Sequence, residues 1–92
     1  MGRITDRDIK GVVNRINRIT GSPMDYHDEN GIIAIGHYGI DGAYGGVSLH
    51  RIVNTSGGCR DVFSSGHMPK RALYDLMHAW LKGFDAANGG PL

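Results

Sequence analysis

A short stretch in the last third of the chain combines the residue types best suited to bind an anion. Residues 64–71, Ser-Ser-Gly-His-Met-Pro-Lys-Arg, bring His67 and two cations to the predicted start of a helix. Free backbone N–H groups and the helix macrodipole favour negative charge there. Positively charged side chains such as Lys70 and Arg71 are unfavourable in the first turn of an isolated helix, so their presence there indicates a negatively charged partner. The alternative is that they are solvated, or that Arg71 pairs with Asp75 at i+4.

A further cation, Arg51, lies inside a predicted strand. It is in phase with Val47 and Leu49, so its guanidinium needs either a partner or an exit at the end of the sheet. Two interpretations stay open: a structural pair with Asp61 on the next strand, or a ligand-facing Arg51. A bulge at residues 45–46 would instead place Arg51 in water.

The segment that precedes this strand is rich in glycine. Tyr44, Gly45 and Gly46 follow residues 39–42, Gly-Ile-Asp-Gly, so bare backbone lies beside an aromatic ring. Such a composition lets a backbone approach a flat ligand closely. It matches neither a P-loop nor a dinucleotide fingerprint. Hairpin geometry alone is the alternative explanation for most of these glycines.

The histidines do not have metal-ligand spacing, and we expect no metal and no cofactor. The five are His27, His37, His50, His67 and His78. Although His37 or His67 has the chemistry of a general acid or base, no spacing indicates a Ser-His-acid or Cys-His set. We therefore assign no catalytic residue and expect binding in preference to catalysis.

Two amphipathic helices must position these groups. A pattern like a capping box at residues 5–8, Thr-Asp-Arg-Asp, precedes apolar residues at helical spacing and predicts a helix over residues 5–20. A second helix is predicted to begin at Pro69, which suits a first helical position. Its apolar stripe consists of Leu73, Leu76, Met77, Trp80, Leu81 and Phe84.

Three or four strands are predicted between the helices. β-Branched runs separated by turn residues predict strands at residues 24–28, 32–38, 44–53 and 59–63, with turns at 30–31, 39–43 and 55–58. Connections of hairpin length make the sheet antiparallel. The predicted fold is α+β: helix, three- or four-stranded antiparallel sheet, helix, with both helices packed on one face of the sheet.

Length and composition indicate one small domain. The 92 residues predict a single domain, 1–92, with a frayed tail at about 88–92. A domain of this size gains from burying further surface, so we expect a homo-oligomer. The single cysteine, Cys59, indicates a reducing compartment. A charged N-terminus and the absence of a run of about 20 apolar residues favour a cytoplasmic protein without a membrane span.

The charge is balanced overall but unevenly distributed. A net charge of +1 argues against a dedicated, strongly basic nucleic-acid binder. Residues 1–20 carry five basic and two acidic groups, whereas residues 21–44 carry four acidic groups and no Lys or Arg. Residues 45–74 are again basic, so an acidic segment separates two basic ones.

Small accessory proteins of tailed bacteriophages contain phrases similar to residues 42–51 (Gly-Ala-Tyr-Gly-Gly-Val-Ser-Leu-His-Arg), 57–62 (Gly-Gly-Cys-Arg-Asp-Val) and 66–74 (Gly-His-Met-Pro-Lys-Arg-Ala-Leu-Tyr). The resemblance extends over about residues 30–82. It implies expression in an infected bacterium. Phage accessory proteins of this size commonly inhibit or sequester host components, including nucleotide signals of antiviral defence.

The order of elements is also similar to the double-stranded-RNA-binding fold. In that family, cations at the start of the second helix follow RNA phosphates, and Lys70 and Arg71 match the start of that basic run. The remaining cations are absent, and residues 39–42 do not replace the family's Gly-Pro-x-His loop. HicA-like toxin ribonucleases share the order, with His37 after Gly36 as the corresponding histidine.

The sequence therefore predicts a non-enzymatic phage accessory protein that binds a phosphate-bearing small ligand, a nucleotide signal of host defence. The alternatives are an RNA- or DNA-binding module, an inhibitor that docks on a host protein, and a ribonuclease using His37 or His67. The expected phosphate ligands are Arg51, His67, Lys70 and Arg71, and the residues expected beside the base or sugar are Tyr44, Gly45 and Gly46.

Overall fold

The computed structural model describes residues 3–89 and has the predicted α+β fold. Its elements, in chain order, are α1 (Asp6–Thr20), β1 (Tyr38–Ala43), β2 (Gly46–Ile52), β3 (Cys59–Asp61) and α2 (Lys70–Ala87). The three strands form an antiparallel sheet in the order β1-β2-β3. Both helices pack on one face of this sheet. Part of the expected frayed tail, residues 90–92, lies outside the described residues.

Helix α1 is closed at both ends by local hydrogen bonds. The Thr5 hydroxyl accepts from the backbone N–H of Asp8, and the Asp8 carboxylate accepts from the backbone N–H of Thr5, which completes the capping box. At the other end, Gly21 adopts the left-handed conformation, with φ of 70°. The buried face consists of Ile9, Val12, Val13, Ile16 and Asn17.

Helix α2 begins without a comparable cap. Pro69 is the N-cap residue and makes no side-chain cap hydrogen bond, and the first turn contains no acidic residue. The helix packs Leu73, Met77 and Leu81 into the core. Within residues 3–89, neither helix is long and apolar enough to cross a membrane.

The two helices run in the same direction across the sheet. At their starts, Lys70 of α2 forms a salt bridge with Asp6 of α1. Further along, Asn17 of α1 bonds to Tyr38, and the ring of Trp80 in α2 lies 6.2 Å from the Tyr38 ring. Both helix N-termini therefore lie at one end of the molecule, near the β1–β2 turn.

The pairing of the strands determines which side chains share a face. β1 pairs with β2 from Tyr38↔Arg51 to Ala43↔Gly46. Val47 and Leu49 point into the core under the helices, so Arg51 belongs to the same helix-covered side, as predicted. The intervening residue Ser48 faces the outer side of the sheet.

The first strand differs from the prediction. Residues 32–38, predicted as a buried strand, are irregular up to β1, and residues 39–43, predicted as a turn, belong to β1. The exposed fractions of Ile32 and Ile35 are 51% and 55%, so these β-branched side chains are not used in the core. The predicted edge strand at 24–28 is reduced to one bridge between His27 and Ile33.

A five-residue bulge interrupts the pairing beyond β3. The backbone N–H of Val62 bonds to the carbonyl of Leu49, and pairing with β2 resumes at Met68, which bonds to Val47 in both directions. Residues 63–67 therefore lie opposite Ser48 alone. The Asp61 carboxylate closes this bulge by accepting from the backbone N–H of Gly66 at 2.8 Å.

Candidate anion-binding site

The predicted ligand-binding residues fall into two groups at opposite ends of the sheet. Tyr44, Gly45 and Gly46 lie with His67 and the start of α2. Arg51 lies five residues beyond Gly46 on β2, a distance of about 16 Å along an extended strand. One compact ligand cannot contact both groups.

At the start of α2, each predicted cation has a carboxylate neighbour. Lys70 Nζ lies 3.0 Å from Asp6 Oδ1. Arg71 Nη1 lies 4.0 Å from Asp75 Oδ1, which is the i+4 pair that the sequence offered as the alternative. Because neighbouring carboxylates already offset these charges, an anion gains less here than the sequence alone predicts.

His67 also has a carboxylate neighbour. Its Nε2 lies 2.7 Å from Asp41 Oδ2. Asp41 is the pairing partner of Ser48 on the outer face of the sheet, and the Ser48 side chain is buried without a hydrogen-bond partner among the described residues. Asp41 thus contacts His67 through its side chain and lies across the strands from Ser48, a grouping that sequence spacing did not indicate. Because Ser48 is fully buried, it is not accessible as a nucleophile in this arrangement.

Chain packing requires one of the glycines near this end. A Cβ on Gly46 would lie 3.0 Å from the carbonyl oxygen of Met68 and 3.2 Å from the Cβ of His67. Glycine at position 46 is thus required by the close approach of the backbone at Met68, whereas Gly45, with φ of 75°, belongs to the β1–β2 hairpin turn that the alternative describes. Tyr44 has positive φ, 54°, and is fully exposed.

Arg51 does not pair with Asp61, so the structural pair considered from the sequence is wrong. Asp61 lies opposite His50 and faces the other side of the sheet. Arg51 instead donates from Nε to the carbonyl of Gly36 at 3.2 Å, and its guanidinium carbon lies 4.8 Å from the centre of the Tyr38 ring. These two contacts hold the guanidinium in one orientation at an exposed position.

A second arginine stands directly opposite Arg51. Arg60 of β3 is its pairing partner, and both side chains line a cavity of about 180 Å³ together with Tyr38, Val62 and Trp80. Neither arginine forms a salt bridge within residues 3–89. Two arginines without a salt-bridge partner in the described part of the chain thus line one cavity with aromatic walls. Such a cavity is suited to an anion attached to an apolar or flat group.

Sequence reasoning missed Arg60 as a ligand-binding residue. The sequence contained a signal for it, namely two arginines on consecutive predicted strands. Such residues lie opposite each other when the turn between the strands sets the matching register. The turn at residues 55–58 was predicted, but the register was not. In the described part of the chain, no three His, Cys, Asp or Glu side chains converge as a metal-ligand set.

Comparison of the chain with protein-family models, with curated proteins and with solved structures gave no match. The interpretation of the candidate site therefore depends on the geometry of its residues.

Proposed function

We propose that this protein binds a phosphate-bearing small ligand, a nucleotide, between Arg51 and Arg60. The observation that carries the proposal is the pair of directly opposed arginines with no carboxylate partner among residues 3–89. The phosphate lies between the guanidiniums, and the ring or sugar of the ligand lies against Trp80 at the cavity wall.

The energetics of the ligand-free sheet support this proposal. Like charges directly opposite each other on neighbouring strands destabilise a sheet by about 0.2–1 kcal/mol. An anion between Arg51 and Arg60 replaces that repulsion with charge-assisted hydrogen bonds. Arg51 is already held by Gly36 and Tyr38, so less side-chain entropy is lost when the ligand binds.

The proposal extends to the setting that the phage resemblance implies. The protein would sequester a nucleotide signal of host antiviral defence in the cytoplasm of an infected bacterium. Sequestration requires affinity and no catalytic group, which agrees with a site built from arginines and aromatic rings. The expected homo-oligomer belongs to this proposal as well.

Native mass spectrometry tests the proposal directly. The protein is purified from bacteria and measured before and after incubation with a panel of linear and cyclic nucleotides. We expect an added nucleotide mass that is lost in Arg51→Gln and in Arg60→Gln and retained in Arg15→Gln, a matched change at an exposed arginine of α1. Absence of any nucleotide adduct would overturn the proposal. The same spectra report the oligomeric state.

A second candidate function, binding of RNA or DNA, is favoured by one observation at the other end of the molecule. Tyr44 is fully exposed in a left-handed conformation that is strained for a non-glycine residue, and it lies near the N-termini of both helices. An exposed ring there suits stacking with a base, and Arg7 and Lys10 on α1 are exposed cations for phosphates.

Salt dependence separates the two candidates. Nucleic-acid binding at the helix end should weaken steeply between 50 and about 200 mM salt, and it should be reduced by Tyr44→Ala but not by Arg60→Gln. Binding of a nucleotide between Arg51 and Arg60 should be reduced by Arg60→Gln but not by Tyr44→Ala. Fluorescence anisotropy with a labelled oligonucleotide provides the measurement.

A further inference from the structure

We infer that the Arg51–Arg60 site is selective for a terminal phosphate, a phosphomonoester, over the internal phosphodiester of a cyclic nucleotide. This inference rests on the proposed function and names the ligand class of the same site. The class comprises linear nucleotides with a free phosphate end.

The first argument is charge. The two guanidiniums carry two positive charges, and no carboxylate of residues 3–89 lies within salt-bridge distance of either. A phosphomonoester carries about −1.5 to −2 at pH 7, whereas a phosphodiester carries a single negative charge. Only the monoester neutralises both arginines, and the diester leaves residual repulsion between them.

The second argument is the number of available acceptors. Arg51 uses Nε to bond the carbonyl of Gly36, so its Nη atoms remain for the ligand. The side chain of Arg60 makes no hydrogen bond with residues 3–89, and its whole fork is available. Two opposed forks can engage three terminal phosphate oxygens, whereas a diester offers only two unsubstituted oxygens.

The third argument is size. The cavity of about 180 Å³ is smaller than typical ligand pockets of about 300–1,000 Å³, so it holds a phosphate group and leaves most of a nucleotide outside. A terminal phosphate can enter such a cavity because a single ester bond joins it to the sugar. The phosphate of 3′,5′-cyclic AMP is bonded twice to the same ribose, so it can enter only together with part of the fused sugar ring. Charge, acceptors and size thus favour the same ligand class.

Isothermal titration calorimetry with AMP, 3′,5′-cyclic AMP and inorganic phosphate tests the inference. At pH 7.5 we expect AMP to bind at least about tenfold more tightly than cyclic AMP, because it makes a second charge-assisted contact. At pH 5 the terminal phosphate is mostly a monoanion, since its second pKa is about 6, and the preference should shrink. Inorganic phosphate should bind more weakly than AMP if Trp80 contacts the rest of the ligand.

Substitutions at the two arginines complete the test. Arg60→Gln should remove the preference by weakening AMP more than cyclic AMP, whereas Arg15→Gln should leave both affinities unchanged. Circular dichroism of each variant establishes that it is folded. Equal affinity for AMP and cyclic AMP, lost in Arg60→Gln, would overturn the selectivity and leave the proposed function standing. Failure of all three probes to bind the unmodified protein would overturn both.

Discussion

The side-chain amide of Asn17 holds the backbone of Tyr38 at two points. Asn17 Nδ2 donates to the Tyr38 carbonyl at 3.0 Å, and the Tyr38 N–H donates to Asn17 Oδ1 at 2.8 Å. Both residues are buried. The alternate residues of β1 use their backbone groups to bond β2, so the groups of Tyr38 point away from the sheet. Asn17 thus takes the place of a neighbouring strand and fixes α1 on the first strand.

Replacing Asn17 with leucine should destabilise the fold by about 3 kcal/mol, because a buried N–H and a buried carbonyl of Tyr38 lose their partners. The measurement is the free energy of unfolding in urea. Asn14→Ala, one turn earlier on the same helix, serves as the control and should cost much less. Equal losses in both variants would contradict this role of the amide.

Arg60→Thr should have opposite effects on stability and on binding. Removing one of two opposed like charges should raise the free energy of unfolding by up to about 1 kcal/mol, while nucleotide affinity falls. The gain in stability should diminish in 1 M salt, because exposed charges are screened over about 3 Å there. Thermal unfolding at low and high salt measures the first effect and calorimetry the second. A variant that loses both stability and affinity would indicate that Arg60 has a structural role.

Gly46→Ala should destabilise the protein by about 1–3 kcal/mol, because the added Cβ meets backbone atoms of Met68 that cannot move aside. Gly11→Ala is the matched control. A Cβ at Gly11 meets no atom within 4 Å, and the exchange inside α1 should stabilise by about 0.5–1 kcal/mol. Urea unfolding of the two variants should therefore shift in opposite directions.

The capping box of α1 should contribute to the free energy of unfolding at neutral pH, and this contribution should be lost in acid. The backbone N–H and the hydroxyl of Thr5 donate to the Asp8 carboxylate and lower its pKa from the usual value. A carboxyl whose pKa is lowered in the folded state stabilises the fold above its unfolded pKa, about 3.9, and this contribution disappears as the pH falls through the folded pKa.

Asp8→Asn tests this pH dependence. The variant should be less stable than the unmodified protein at pH 6, and the difference between them should narrow towards pH 2.5. Urea unfolding at a series of pH values gives the two curves. A difference that stays constant over that range would show that the charge of Asp8 has no part in the cap.

The helices were predictable because their signals are local. The capping pattern at Thr5 and Asp8 and the 3.6-residue spacing of apolar side chains identify α1, and Pro69 marks the start of α2 to within one residue. The assignment of Val47 and Leu49 to the core face was also correct. In each case the residues that determine the element lie within a few positions of each other.

The first strand was not predicted at residues 38–43 because it forms through its pairing with β2 and not through the strand preference of its own residues. β1 contains two glycines and an aspartate, a composition poor in intrinsic strand preference. It forms because the turn at Tyr44 and Gly45, with φ of 54° and 75°, returns the chain directly to β2. Both positive φ values are typical of a type I′ turn, which usually has Asn or Asp at the first position. Tyrosine there concealed the turn, and residues 30–31, Asn-Gly, were assigned the hairpin instead.

The candidate site was only partly predictable for the same reason. Arg51 was identified from its phase with Val47 and Leu49. Its partner depended on the register across residues 53–58, which places Arg60 opposite Arg51 and Asp61 on the other face. A shift of one residue exchanges these two side chains. Short-range sequence patterns do not determine such a shift.

The common direction of α1 and α2 has a consequence for surface-based binding assays. In an antiparallel helix pair the macrodipoles oppose each other, whereas here they add, with both positive ends near Tyr44. The domain therefore has electrically different ends although its net charge is only +1. On a negatively charged sensor chip, Arg51 and Arg60, which have no carboxylate partner among residues 3–89, should compete with the Tyr44 end for the surface. Immobilised protein should then report a weaker nucleotide affinity than dissolved protein.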